Sequence, residues 1–198
     1  MKFEYVIGAT PLDADEAADL IPSHITTQNE LNEWEAENIL NAERWLYAKK
    51  NHGDFLTLEF VKKLHEKMFS NTWKWAGVFR GSEKSIGVAP YYISTELKNL
   101  LEDIRVQLLA MDDIDSVVID EMACRFHHRL VLIHPFPNGN GRHSRLMTDF
   151  LLVQAGRPRF TWSNKKLNLS GSVRDQYLRA LRKADQHDMS ELMVFVRS

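Results

Sequence analysis

Apolar residues recur along this chain at three- and four-residue intervals, a spacing that predicts helices almost from end to end. A short acidic helix is expected over 13–20, stopped by Pro22, after a lead-in over 1–12. Thr26 or Thr27 then caps a long helix, with Glu30 three residues after Thr27 completing a capping box. Leu31, Trp34, Asn38, Trp45 and Leu46 give that helix a face to bury, and it should fail near Asn51-His52-Gly53. The next helix is expected over about 57–69, on a stripe of Leu58, Val61, Leu64 and Met68. Periodicity returns over 96–111, 116–133, 141–155 and 172–184, with a last turn or two near 189–196. One stretch, 78–93, breaks the pattern. Gly81, Gly87 and Pro90, with the β-formers Val88, Tyr91, Tyr92 and Ile93, cannot continue a helix and predict a short β-hairpin or flap. With neither repeat nor linker in view, the fold class is all-α: one helical bundle with that flap.

Composition narrows the reading only a little. A chain of 198 residues, 44% hydrophobic and 26% charged, is long enough for one well-buried core. A net charge of −2 argues against a dedicated nucleic-acid binder. Arg142, Arg145, Arg157, Arg159, Lys165 and Lys166 fall close together, and are read as solvated basic residues around a phosphate pocket. The one cysteine, Cys124, cannot form an internal disulfide, fits a reducing cytosol, and is read as a small core residue. No signal peptide and no apolar run near ~20 residues is present, so the expectation is a cytoplasmic protein without a membrane span.

The chemistry concentrates in His134-Pro135-Phe136-Pro137-Asn138-Gly139-Asn140-Gly141-Arg142-His143-Ser144-Arg145. Pro135 forces His134 out of helical geometry at the end of the apolar run Val131-Leu132-Ile133. Leu146, Phe150, Leu151 and Val153 then read as the buried face of a new helix. The histidine therefore sits on a loop at a helix N-terminus, where Gly139 and Gly141 let backbone N–H groups approach an anion. Arg142 and Arg145, three apart, can clamp phosphate oxygens, and His134 can take a proton at neutral pH. His127, His128 and His143 fit no metal-ligand spacing and are read as core or surface residues. Tyr177 is read as core packing.

This segment resembles the His-x-Phe-x-(Asp/Glu)-Gly-Asn-Gly-Arg-x-x-Arg signature of the Fic (filamentation induced by cAMP) domain family, with Asn138 replacing the acidic residue. Leu64-His65-Glu66-Lys67-Met68-Phe69, Trp73-Lys74-Trp75-Ala76-Gly77-Val78-Phe79-Arg80 and the segment from Tyr177 to Ala184 followed by Asp188 extend the likeness. It assigns 55–198 to a Fic domain and 1–54 to an N-terminal extension. The opening and Asn138 are most similar to the subgroup called mobile mystery protein B, which implies a helix-turn-helix partner protein.

The resemblance implies a protein adenylyltransferase that moves AMP from ATP to a Ser, Thr or Tyr hydroxyl of a target protein. His134 would be the general base. Phe136 would anchor the loop. Gly139, Asn140 and Gly141 would supply donors to the α- and β-phosphates, Arg142 would hold the β-phosphate region and Arg145 the γ-phosphate. Mg²⁺ is implied as cofactor, and Asn138 would offer it only a neutral oxygen. Lys84, Ser85, Ile86 and Gly87 would form the flap edge that aligns the target's backbone. Many relatives carry a helix whose glutamate pairs with the final signature arginine. Thr26-Thr27-Gln28-Asn29-Glu30 fits the start of that motif, so Glu30 is the regulatory candidate, with the helix cap as its other role. Two alternatives stay open: Doc-type phosphotransfer, which typically has a lysine where Gly141 stands, and a non-catalytic nucleotide-binding or toxin–antitoxin-like partner.

Overall fold

A computed structural model of the chain describes residues 11–48, 52–110, 116–164 and 171–198. The lead-in over 1–10, Asn51, Met111, Lys165 and Lys166 lie outside the described residues. The elements in order are α1 (Ala14–Ala18), α2 (Gln28–Ala48), α3 (Leu58–Phe69), α4 (Ile93–Leu109), α5 (Ser116–Ile133), α6 (Asn140–Gln154), α7 (Ser172–Ala184) and α8 (Ser190–Arg197). Single 3₁₀ turns stand at Pro90–Tyr92 and Trp162–Asn164.

The expected caps form. Glu30 N–H donates to Thr27 Oγ1 at 3.2 Å, while Glu30 Oε2 accepts from Thr27 N–H at 2.9 Å, closing a capping box on α2. Thr57 Oγ1 accepts from Phe60 N–H at 3.1 Å and starts α3. Helix α4 begins three residues earlier than its periodicity indicates, because Pro90 opens a 3₁₀ turn that runs straight into it.

Helices α5 and α6 form a wall that is buried on both sides. One side carries Phe126, Leu130, Met147 and Phe150 against Leu46 of α2, Leu64 of α3 and Leu97 of α4. The other carries Ala123, Cys124 and Leu152 against Tyr177 and Leu181 of α7 and Leu192 and Val196 of α8. Burial pushes the Cys124 thiol up to about 12, the state of a core residue rather than a nucleophile. The short connection between these helices is the His134–Gly139 loop, so it hangs from a pair packed into both core clusters.

The flap is not a hairpin. Among the described residues there is no strand; the one isolated antiparallel bridge joins Leu20 to Trp73. The two limbs of 80–88 spend their backbone groups elsewhere: Arg80 N–H donates to Pro135 O at 2.9 Å and Val88 N–H to Ile133 O at 3.3 Å. The Arg80 guanidinium fills the space between the limbs, donating to Ser82 O at 2.8 Å and also to Val88 O. Side-chain donors thus occupy the carbonyls that a ladder would use.

His65, His127 and His143 are fully buried, and burial pushes all three below their ordinary range, His127 to about 3 and His143 to about 4. Each binds fewer protons folded than unfolded once pH drops below about 6.5, so the stability they contribute is full above that pH and lost on acidification. Asp149, raised by burial to about 6, works the other way and returns about one proton's worth. His134 is lowered in the same way, to about 4, so four histidines outweigh the one aspartate and net stability falls as pH drops below about 6.5. Urea unfolding at pH 7.5 and 5.0 checks this: the midpoint should fall sharply at pH 5.0, and an unchanged midpoint would refute it.

Candidate active site

The loop is shaped by residues that point inward. His134 takes a left-handed φ of 53°, because Pro135 bars continuation of α5. Phe136 is fully buried and stacks on His65 with ring centres 3.7 Å apart. Asn140 closes the loop by imitating a peptide: its Oδ1 accepts from Phe136 N–H at 2.9 Å and its Nδ2 donates to Phe136 O at 2.8 Å. At Gly139, φ is 79°, and an added Cβ would lie 2.6 Å from the Phe69 ring, so only glycine fits. Gly139 is also the N-cap of α6 and brings no side chain to cap the helix's first amides, at the positive end of the helix dipole.

His134 is 5% exposed. Burial pushes its imidazole down to about 4; the Arg80 and Lys84 charges push the same way, and a hydrogen bond to the Val131 backbone opposes them. At pH 7 the ring is therefore neutral, as a proton acceptor must be.

The flap lies directly against it. Arg80 Nε donates to His134 O at 2.6 Å, so one guanidinium ties the loop to both flap limbs. An added Cβ at Gly87 would sit 2.8 Å from His134 Cβ. Ser85, Ile86 and Gly87 are exposed beside the histidine, while Lys84 turns inward. Lys84 Nζ binds Asp13 at 2.9 Å and Glu16 at 2.6 Å, fastening α1 over the flap.

The cradle's side chains are arranged as follows. Arg142 Nη1 meets Glu35 Oε2 at 2.6 Å, and its guanidinium lies 4.9 Å above the Phe69 ring. Glu35 is buried on α2 and accepts from Trp73 Nε1 at 2.7 Å. Arg145 packs 5.9 Å from the Tyr177 ring centre, and Tyr177 in turn pairs with His127 Nε2 at 2.8 Å. Burial holds the Arg145 guanidinium below its usual range, with Arg142 and Arg174 adding like charge. Glu30, beyond its cap partners Thr27 and Thr26, is drawn below the usual carboxylate range by those backbone hydrogen bonds.

A protein-held Mg²⁺ does not fit these donors. Asn138 Oδ1 is neutral, already accepts from Gly139 N–H at 2.6 Å, and lies 3.4 Å from Arg142 Nη2. Among the described residues no group of three His, Cys, Asp or Glu side chains gathers around a point.

Four roles escaped sequence reasoning: the Glu35 pair, the Arg80 clasp, the double bonding of His65, and the Tyr177–His127 support under Arg145. Only Glu35 left a signal. It falls at the four-residue interval between Leu31 and the buried positions Asn38 and Ala42, a carboxylate in a stripe that must bury.

The chain belongs to the Fic/DOC family, whose model matches residues 55–152. The protein adenylyltransferase fic-1 of Caenorhabditis briggsae is 26% identical over 157 residues, 76% of this chain and 28% of that protein. The chain thus spans little more than a quarter of the length of such relatives. Among solved structures, the N-terminal Fic domain of a Bep effector from Bartonella quintana superposes with a TM-score of 0.74 at 19% identity, covering 92% of this chain and 91% of that one. BepC of Bartonella tribocorum, solved with bound AMPPNP, gives 0.73 at 18% identity, covering 93% and 97%. These two establish the fold.

The His134 ring should titrate near pH 4 when followed by NMR through its ring C–H signals, and Lys84→Met should move that midpoint upward. A midpoint near the ordinary 6.5 would contradict the buried geometry.

Proposed function

We propose that this chain is a protein adenylyltransferase, transferring AMP from ATP to a Ser, Thr or Tyr hydroxyl of a target protein. One observation carries the reading: a buried, neutral His134 beside the N-terminus of α6, with Arg142 and Arg145 in that helix's first turns. In the reaction the target's hydroxyl oxygen bonds to the α-phosphorus and its proton passes to the His134 imidazole. The bond from the α-phosphorus to the bridging oxygen breaks, and pyrophosphate leaves with the electron pair. Main-chain amides and the two guanidiniums stabilise the charge that collects on the leaving phosphates. Relatives named protein adenylyltransferase and a like-folded neighbour holding AMPPNP support this reading. Mg²⁺ arriving with the nucleotide would screen phosphate charge, and no step above depends on a metal held by the chain. The exposed Ser85–Gly87 edge beside His134 suits a target backbone laid across it.

The reading includes restraint by α2. We assign it to Glu35, whose carboxylate already neutralises Arg142, while Glu30 is engaged in the helix cap. A nucleotide must displace Glu35 to gain that guanidinium.

Incubating the protein and its His134→Ala variant with cell lysate and α- or γ-labelled ATP tests the activity. Label transferred from the α position alone, and lost in the variant, is expected. Transfer from γ alone would indicate phosphotransfer, and none from either a binding role or another donor. Glu35→Gln keeps an acceptor for Trp73 and removes the charge, so transfer should rise about tenfold. An unchanged rate would remove Glu35 from regulation.

A further inference from the structure

His65 is buried at the junction of the turn after α3 and the signature loop, and both of its ring nitrogens are engaged. Gly77 N–H donates to Nδ1 at 3.0 Å, and Nε2 faces Asn138 O at 3.1 Å. An N–H donates only to a bare nitrogen, so Nδ1 carries the lone pair. The proton therefore sits on Nε2, which donates to the Asn138 carbonyl. Phe136 at 3.7 Å and Phe69 at 4.7 Å hold the ring in its plane.

The carbonyl's direction fixes more than itself. In a trans peptide the C=O and the following N–H point opposite ways. Pulling Asn138 O toward His65 turns Gly139 N–H away from the core, to the side where Arg142 lies. There Asn138 Oδ1 accepts from Gly139 N–H at 2.6 Å and lies 3.4 Å from Arg142 Nη2. A neutral amide oxygen thus occupies the point where a main-chain donor and a guanidinium converge, which is the environment of a phosphate oxygen.

We propose that His65 is a positioning residue for polyphosphate binding: as the Nε2–H tautomer it aims the Asn138–Gly139 peptide so that Gly139 N–H faces the cradle, and Asn138 Oδ1 holds that donor until a phosphate oxygen replaces it. The proposal deepens the adenylyltransferase reading and rests on it for the identity of the ligand. It differs from core packing in one respect: the two ring nitrogens have separable consequences. Nδ1 secures the turn at Gly77, whereas Nε2 alone sets the cradle.

Two substitutions divide those roles. His65→Asn retains a short acceptor for Gly77 N–H and loses the reach to Asn138. His65→Gln extends an amide N–H toward Asn138 O and gives up the Gly77 contact. Calorimetric titration with AMPPNP, set beside urea unfolding of the same proteins, should show both variants destabilised. Affinity should fall about tenfold in His65→Asn and stay within about threefold of the parent in His65→Gln. Equal losses of affinity in the two variants would overturn the proposal, as would unchanged affinity in His65→Asn. Should neither variant fold, the ¹⁵N spectrum of the His65 ring in the parent protein decides: a protonated Nε2 with a bare Nδ1 is expected, and the opposite tautomer would overturn the assignment. A parent protein that binds AMPPNP with this pattern but transfers no AMP from ATP would sink the transferase reading and leave the positioning role standing.

Discussion

The architecture depends on one backbone constraint, the reversal between α5 and α6 that takes left-handed geometry at both His134 and Gly139. Glycine takes this geometry freely, but at His134 it does not persist unaided in water, since a histidine at positive φ is strained and a proline follows it. Burial of Phe136, the peptide-like clamp of Asn140 and the Arg80 clasp on His134 O over-determine it together. From that reversal follow the two properties the site needs: an imidazole turned out of the helix, and a fresh helix N-terminus beside it.

Electrostatics divides the site into two regimes. Around His134 a dry environment and two neighbouring cations keep the imidazole uncharged against the opposing hydrogen bond to the Val131 backbone. A few residues on, Arg142 and Arg145 concentrate positive charge at the positive end of α6. The resting protein offsets that charge with its own groups. Glu35 covers Arg142, and Asn138 Oδ1 takes Gly139 N–H. An incoming polyphosphate exchanges places with these internal substitutes rather than entering an unsatisfied cavity, which tempers its affinity and leaves room for regulation.

Much of this was legible in the sequence, for identifiable reasons. Helices α2, α3, α5, α6 and α7 carry apolar stripes at helical spacing, and capping residues marked the start of α2 and α3, so their limits were read closely. The signature loop was legible because glycine, proline and histidine in fixed order leave few backbone paths. The flap was misread because β-forming residues and glycines report a departure from helix, not a partner. What replaced the ladder was a single long side chain, Arg80, whose reach no local pattern encodes. The same holds for Glu35, 107 positions from the arginine it meets, and for His65, 73 positions from the carbonyl it bonds. Contacts of this range are set by how α2 and α3 pack on α6.

A crystal structure of the protein soaked with AMPPNP tests the central claim most directly. The triphosphate should lie at the N-terminus of α6, with Arg142 transferred from Glu35 to a phosphate oxygen, Asn138 Oδ1 withdrawn from Gly139 N–H, and the α-phosphorus facing the His134 ring. A nucleotide bound elsewhere, or one that leaves the Arg142–Glu35 pair closed, would contradict it.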